Sequence, residues 1–343
     1  MAKASRRAGA AGRRQVLASM AALAGAAVSA RFASAQDATP TSGEWTFTDV
    51  LGNTVTLPER PQRIAAAINM AASLWDYGIE VPTIFGWTAT NYPAGDHVSW
   101  GNIDVEAVEV VSNVAGDVEV EKLLAAQPDL IVTWSWDRDA PMDSLVAILP
   151  EQLEQVAGIA PILVLTQGDA NDVELERIEA LAEALGANLD SAEIVAQREA
   201  YEAKKAELRQ VAEEKHDLSV LFANFGDSDR IWVAGPDYVA DLGQVRDLGV
   251  NLANEGSPSA ISYWEELSLE QALKYPSDVI YIDQYSPWKT LEDLQAEPTV
   301  NQHPAVKAGQ VGPWPRDLPL NYQGLTTFLE SVLEPLRDAE KVS

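Results

Sequence analysis

The chain has 343 residues, with 24 Lys and Arg against 52 Asp and Glu, a formal net charge of −28 and no cysteine. That acidity repels phosphate backbones and excludes nucleic-acid binding, which needs a basic footprint. The missing thiols exclude disulfides, thiol catalysis, thiolate metal sites and a lipid-anchoring cysteine, and the length predicts two domains.

Residues 1–35 hold six basic side chains and no acid, followed by the apolar run "VLASMAALAGAAVSA" from Val16 to Ala30. A run of 15 is shorter than the roughly 20 residues that span a bilayer. Charge, apolar run and the "ASA" before Gln36 predict an export signal cleaved after Ala35. Arg13 and Arg14 in "GRRQVLAS" suit the twin-arginine route; ordinary Sec export or an uncleaved anchor remain alternatives. The mature chain is expected outside the cytoplasmic membrane, periplasmic or extracellular, soluble and monomeric.

Residues 36–44 read as a flexible lead-in. "WTFTDVLGNTVTLPERPQRIAAAI" then predicts a hairpin turning at Leu51-Gly52-Asn53 and a core strand at Ile64–Ile68. A helix near 70–78, the strand "VPTIFGW" and the strand "DLIVTW" follow. Asp172 is expected to open a helix that stops at Gly186, and Asp190 with Glu193 to form a capping box for one reaching about Glu214. Ile194, Tyr201 and Leu208 recur every seven positions there, giving a narrow buried stripe, so this helix reads as a stiff strut. The remainder predicts strands at "LSVLFANF" and "RIWV", a helix at Asp237–Leu248 and a last helix at Asn321–Arg337.

One phrase occurs twice. Val118–Trp134 reads "VEVEKLLAAQPDLIVTW", and 149 positions on Leu267–Asp283 reads "LSLEQALKYPSDVIYID". Without a gap, Glu121, Leu124, Asp129 and Ile131 fall on Glu270, Leu273, Asp278 and Ile280. Each copy reads as helix, tight turn at a proline, and buried parallel strand. Parallel strands need helical crossovers, so two such units predict two α/β lobes of like build. The expected division is 45–189 for the first lobe, 190–215 for the connecting helix and 216–343 for the second.

The opening "WTFTDVLGNTVTLPERPQRIAA", "EKLLAAQPDLIV", "LEQALKYPSDVIYI" and the terminal "WPRDLPLNYQGLTTFLE" together resemble the periplasmic binding proteins of ferric-siderophore and cobalamin ABC importers, over about residues 45–337. That resemblance implies the class III arrangement: two Rossmann-like lobes joined by a single long helix, closing slightly on a ligand between them. It also implies that Glu121 and Glu270, one per lobe at the exposed start of a helix, pair with arginines of a membrane permease. Ser277 stands where proline is usual in this phrase, which softens the turn. Both glutamates also suit a helix N-terminus on electrostatic grounds alone.

In open α/β sheets a ligand meets the carboxyl ends of the strands. The residues after the expected strands are Trp87, then Trp134, Trp136 and Arg138, then Arg230 and Trp232, then Tyr285 and Trp288. Trp314 and Arg316 join them from the "WPRD" loop, which in the resembled family borders the cleft. Aromatic residues in loops favour binding over core filling. His97, His216 and His303 are too scattered for a direct zinc or manganese site, so no protein-bound metal or cofactor is expected. A catecholate iron complex calls for clustered cations, and only three arginines lie in these loops. An aromatic wall suits a neutral chelate, a hydroxamate-type ferric siderophore or a corrinoid. The siderophore is favoured as the commoner family substrate, with iron arriving inside it. Cobalamin or haem binding is the alternative, then an exported hydrolase on a two-lobed α/β scaffold, then an adhesion or sensor module. For catalysis there is no G-x-S-x-G, no H-E-x-x-H and no phosphate loop, so no catalytic residue is assigned.

Overall fold

The computed structural model describes residues 43–343 apart from 167, 227–229, 258–261 and 286–288. The expected export signal, most of the lead-in and Trp288 lie outside the described residues. Strands β1 (Trp45–Thr48) and β2 (Thr54–Leu57) pair antiparallel with Thr48 opposite Thr54. The Asp49 carboxylate folds the turn by accepting from the N–H groups of Leu51 at 2.9 Å and Asn53 at 2.8 Å. The Trp45 indole donates to the Ala184 carbonyl at 2.9 Å and ties the hairpin to the first lobe.

That lobe runs β3 (Ile64–Ala67), α1 (Ile68–Trp75), β4 (Thr83–Phe85), α2 (Trp87–Asn91), β5 (Glu109–Val110), α3 (Val120–Ala126), β6 (Leu130–Thr133), α4 (Leu153–Ala157), β7 (Ile162–Val164) and α5 (Asn171–Ala184). Its sheet is wholly parallel in the order β5-β4-β3-β6-β7. Helices cover both faces, which is why β3 and β6 are small or branched runs buried at every position, apolar but for Thr133, whose hydroxyl donates to the Val146 carbonyl at 3.0 Å.

The connecting helix α6 (Ala192–Glu214) has 23 residues and so spans roughly 34 Å at 1.5 Å per residue. Its cap differs from the sequence expectation. Ser191 is the capping residue, accepting from the Ile194 N–H at 3.3 Å, and Asp190 lies outside the helix. Asp172 likewise does not open α5, which begins at Asn171. The Asp172 carboxylate instead faces α6, accepting from the Tyr201 hydroxyl at 2.6 Å and pairing with Lys205 at 2.8 Å. Ile194, Tyr201 and Leu208 are all buried, as their spacing predicts. Gly186 ends the preceding helix region at φ +97°.

The second lobe runs β8 (Val220–Asn224), β9 (Arg230–Ala234), α7 (Ala240–Asp247), β10 (Trp264–Ser268), β11 (Val279–Asp283), α8 (Leu291–Ala296), α9 (Pro304–Ala308), β12 (Val311–Trp314) and α10 (Tyr322–Asp338). The sheet order is β10-β9-β8-β11-β12. Strands β8, β11 and β12 are parallel, whereas β9 is antiparallel to both neighbours, so β10 runs with the parallel set. The sequence reading does not anticipate β10, because Glu265 and Glu266 disguise an edge strand. Helix α7 starts three residues later than expected, because Tyr238 N–H bonds to the Gly235 carbonyl in a turn before it.

The doubled phrase is only partly alike in structure. Copy one is α3, a left-handed Gln127 and β6, as expected. Copy two keeps the strand, β11, but its helix shrinks to one 3-10 turn at Leu269–Gln271. Strand β10 extends through Ser268, and Ser268 N–H bonds to the Gln271 side chain at 3.1 Å, which caps the turn at once. The shared aspartates do the same work. Asp129 accepts from the Arg63 N–H at 2.9 Å just before β3, and Asp278 from the Ser219 N–H at 2.8 Å just before β8. Each pins the start of its own strand to the neighbouring parallel one.

One hydrophobic cluster joins the first sheet, α1, α5, α6 and α10 to the face of the second sheet that carries Phe222, Tyr281 and Trp314. A smaller cluster lies under α8 and α9 on the opposite face.

Candidate functional site

A cavity of about 560 Å³ lies between the lobes. Its first-lobe wall comes from the carboxyl ends of β3, β4 and β6, where parallel strands hand over to loops. Gly86 carries φ +132°, open only to glycine, and turns the chain so that Trp87 enters the wall. Gly116 lets a loop close over that residue, since a Cβ there would sit 2.6 Å from the Trp87 Cα. The second-lobe wall is Ser262, Tyr263, Trp264, Tyr285, Arg316 and Asp317.

Of the residues named from sequence, the structure brings Trp87, Trp134, Trp136, Tyr285 and Arg316 together around this cavity. It does not bring Trp314, Arg138, Arg230 or Trp232 into it. Trp314 is fully buried, its indole donating to Asp241 at 2.7 Å, because the last residue of β12 points into the core beneath the loop. Arg138 turns toward the second lobe, stacking over the Tyr238 ring at 5.2 Å, donating to the Gly168 carbonyl and lying 3.7 Å from Asp169. Arg230 is exposed and paired with Glu266 at 3.2 Å. Trp232 faces Glu266 across the β9–β10 pair. Both residues open β9, an inner strand that returns antiparallel from the end of β8, and their side chains are taken up by the pairing with β10 instead of the cavity.

Sequence reasoning passes over Asn69, Tyr263, Trp264 and Asp317, all of which line the cavity. Asn69 was legible by the strand-end rule applied to β3. Tyr263 and Trp264 depend on β10, whose charged sequence gives no strand signal.

Arg316 is the only Lys or Arg in this wall among the described residues. Its guanidinium lies 4.2 Å from the Tyr285 ring centroid and 5.5 Å from that of Trp264. It pairs with the buried Asp283 at 3.1 Å and with Asp317 at 3.5 Å. Burial alone would lower its pKa, but these two carboxylates outweigh that and hold it well above the ordinary arginine value. Burial raises the Asp317 carboxyl, with Arg316 opposing the shift. The cation is thus already spoken for within the protein.

The lobes also touch directly. The Trp87 and Tyr285 rings stack at 5.4 Å with 28° between planes. The Tyr92 hydroxyl donates to the Tyr285 carbonyl at 3.0 Å, and His97 Nε2 lies 3.1 Å from the same oxygen. The Ser99 N–H donates to His97 Nδ1 at 3.2 Å, so Nε2 carries the proton and also donates. Burial lowers the His97 pKa, partly offset by that bond to Tyr285.

Such a wall offers π faces, a few hydroxyls and one neutralised cation, which is chemistry for holding a bulky guest. Among the described residues no group of three His, Asp or Glu is arranged to hold a metal ion. His303 is buried against the Tyr275 carbonyl at 3.0 Å and His216 is exposed beyond the end of α6. Nor is any helix of the described residues long and apolar enough to cross a membrane.

The family model described as periplasmic binding protein matches residues 87–318. DesE, a ferric-siderophore receptor protein from Streptomyces coelicolor, is 32% identical, with a TM-score of 0.77 over 87% of this chain and 100% of that one. The siderophore periplasmic binding protein from the fuscachelin gene cluster of Thermobifida fusca is 23% identical, with a TM-score of 0.59 over 81% of this chain and 96% of its own. FhuD2 from Staphylococcus aureus, solved with bound ferrioxamine B, is 18% identical with a TM-score of 0.57, covering 80% of this chain and 98% of its own. A search of curated protein sequences finds no match. Two α/β lobes, a single long connecting helix and a match over most of its length place this chain in the periplasmic binding protein family.

Proposed function

We propose that this protein captures a ferric siderophore in the aromatic cleft and delivers it to an ABC permease, acting as a carrier and not as an enzyme. The observation that carries the chemical class is the cavity wall, rich in Trp and Tyr, whose one cation is neutralised by Asp283. A highly anionic catecholate complex would need uncommitted cations there. A neutral or weakly charged hydroxamate chelate needs aromatic faces and a few hydrogen bonds. Likeness to the Streptomyces coelicolor ferric-siderophore receptor supports the same reading. Iron travels inside the chelate as cargo, with no resident cofactor. Export through the twin-arginine signal and docking through Glu121 and Glu270 complete the proposal.

Titration of the protein's tryptophan fluorescence with ferrioxamine B, a ferric tris-catecholate, cyanocobalamin and haemin tests it. Saturable quenching by ferrioxamine B and none by the catecholate is expected. Quenching by the catecholate, the corrinoid or haemin, with none by ferrioxamine B, would overturn the hydroxamate assignment.

A further inference from the structure

A second hollow, of about 80 Å³, adjoins the cavity and shares Asn69, Trp134, Tyr263, Arg316 and Asp317 with it. Such a volume holds a few water-sized groups, which is the space an alkyl ammonium end needs. Beyond the shared residues, its walls include Asp241, Glu174 and Tyr238. Among the described residues lining either chamber, Arg316 is the one Lys or Arg, set against the carboxylates of Asp317, Asp241 and Glu174.

Arg316 does not balance them. Its nearer partner is the wholly buried Asp283, at 3.1 Å, with Asp317 second at 3.5 Å. That second contact uses one Asp317 oxygen, and the other accepts no hydrogen bond among the described residues. Asp241 is held by neutral donors, the Asn171 amide at 2.8 Å and the Trp314 indole at 2.7 Å. Glu174 has Arg177 at 3.5 Å as its own counter-ion and drops out of the count. Asp283, Asp317 and Asp241 thus share one cation, and burying the excess charge uncompensated is costly. A further sign of an occupant is independent of charge. The indole N–H of Trp134, which borders both chambers, is buried and lacks an acceptor among the described residues.

We propose that the hollow is a subsite for a primary ammonium carried on an alkyl arm of the chelate. The chelate body sits in the larger cavity, the arm passes Trp134, and the ammonium meets the Asp317 and Asp241 carboxylates beside Tyr238 and Tyr263, whose ring faces attract cations. This rests on the siderophore reading above and narrows it. Hydroxamates cancel the ferric charge, so the preferred guest is a singly positive complex and not a neutral one. Charge selects this occupant: an anionic arm would be repelled, and a neutral arm would leave the Asp317 oxygen facing alkyl groups. A bare metal ion would lack its ligands here, since no group of three His, Asp or Glu among the described residues is arranged to hold one.

Titration calorimetry on the protein compares ferrioxamine B, which ends in a primary ammonium, with its N-acetyl derivative, the same chelate with that charge removed. The wild-type protein is expected to bind ferrioxamine B at least about tenfold more tightly, the scale of a desolvated charge pair. Asp317→Asn and Asp241→Asn are each expected to shrink that ratio to about threefold or less, and the double variant to abolish it. Because both chelates are titrated into the same variant, any loss of folded protein cancels from the ratio. Equal affinity of the wild type for the two chelates, or a ratio unmoved by both substitutions, would overturn the subsite while leaving the hydroxamate reading in place. Binding of neither chelate would overturn the siderophore reading and the subsite with it.

Discussion

Trp134 and Trp314 look interchangeable in sequence, each an indole at the end of an apolar strand, and the structure gives them different jobs. Trp134 lines the cavity and its buried indole N–H has no acceptor among the described residues. Trp314 is sealed in the core with Asp241 as acceptor. Trp134→Ala is expected to weaken ligand binding by about 1–3 kcal/mol with little change in melting temperature. Trp314→Ala should cost about 3–5 kcal/mol of stability, read by urea unfolding, because it empties a fully packed site. Arg316 couples both roles. Arg316→Leu strands the buried Asp283 carboxylate, a loss of about 3–5 kcal/mol that Asp283→Asn in the same chain should largely restore. Equal stability for the single and double variants would show that the pair is not what holds this loop.

At the scale of elements, the repeat aspartates were visible as letters but their use was not. Asp278 is the stronger anchor. Burial alone would raise its pKa, yet the N–H groups of Val342, Ser219 and Ser343 and the Lys341 ammonium overcome that and hold it well below the ordinary carboxylate value. A depressed carboxylate contributes stability that is present above about pH 4 and is lost as pH falls. Asp278→Ala should therefore cost about 1–3 kcal/mol at pH 7 and flatten the acid limb of the stability curve. Parallel strands, the long helix and its buried stripe were legible because apolar periodicity writes them directly. Caps at Ser191 and Ala170 were not, because several neighbouring polar residues can serve and tertiary partners decide among them. Strand β10 was hidden for a related reason: its adjacent glutamates point to opposite faces, and tertiary partners accommodate both, Arg230 pairing with Glu266 and the Tyr275 hydroxyl donating to Glu265 at 2.7 Å.

Across the whole molecule, the division into two lobes was readable from the repeat, whereas the shared core was not. Predicting lobes from sequence leads one to expect separate interiors, but contacts across α6 and α10 fuse them into one cluster. A single cooperative calorimetric transition is expected, with ferrioxamine B raising its midpoint. Two resolved transitions would contradict a common interior. Acid should act on the molecule as a unit as well. His97 and His303 are both held below the ordinary 6.5 by burial, so the unfolded chain takes protons first. Their contribution is complete above about pH 6.5 and drains away as pH drops below it, and His97→Gln should remove part of that slope. Fluorescence-monitored melts between pH 7 and pH 5 measure the difference.

The stack of Trp87 on Tyr285 is at once cavity wall and inter-lobe seam. Lobes that separate to admit a cargo must part these rings, so latch and lining are one contact. Removing the latch with Tyr285→Ala should speed entry and exit together. Stopped-flow traces would then show a larger change in both rate constants than in their ratio.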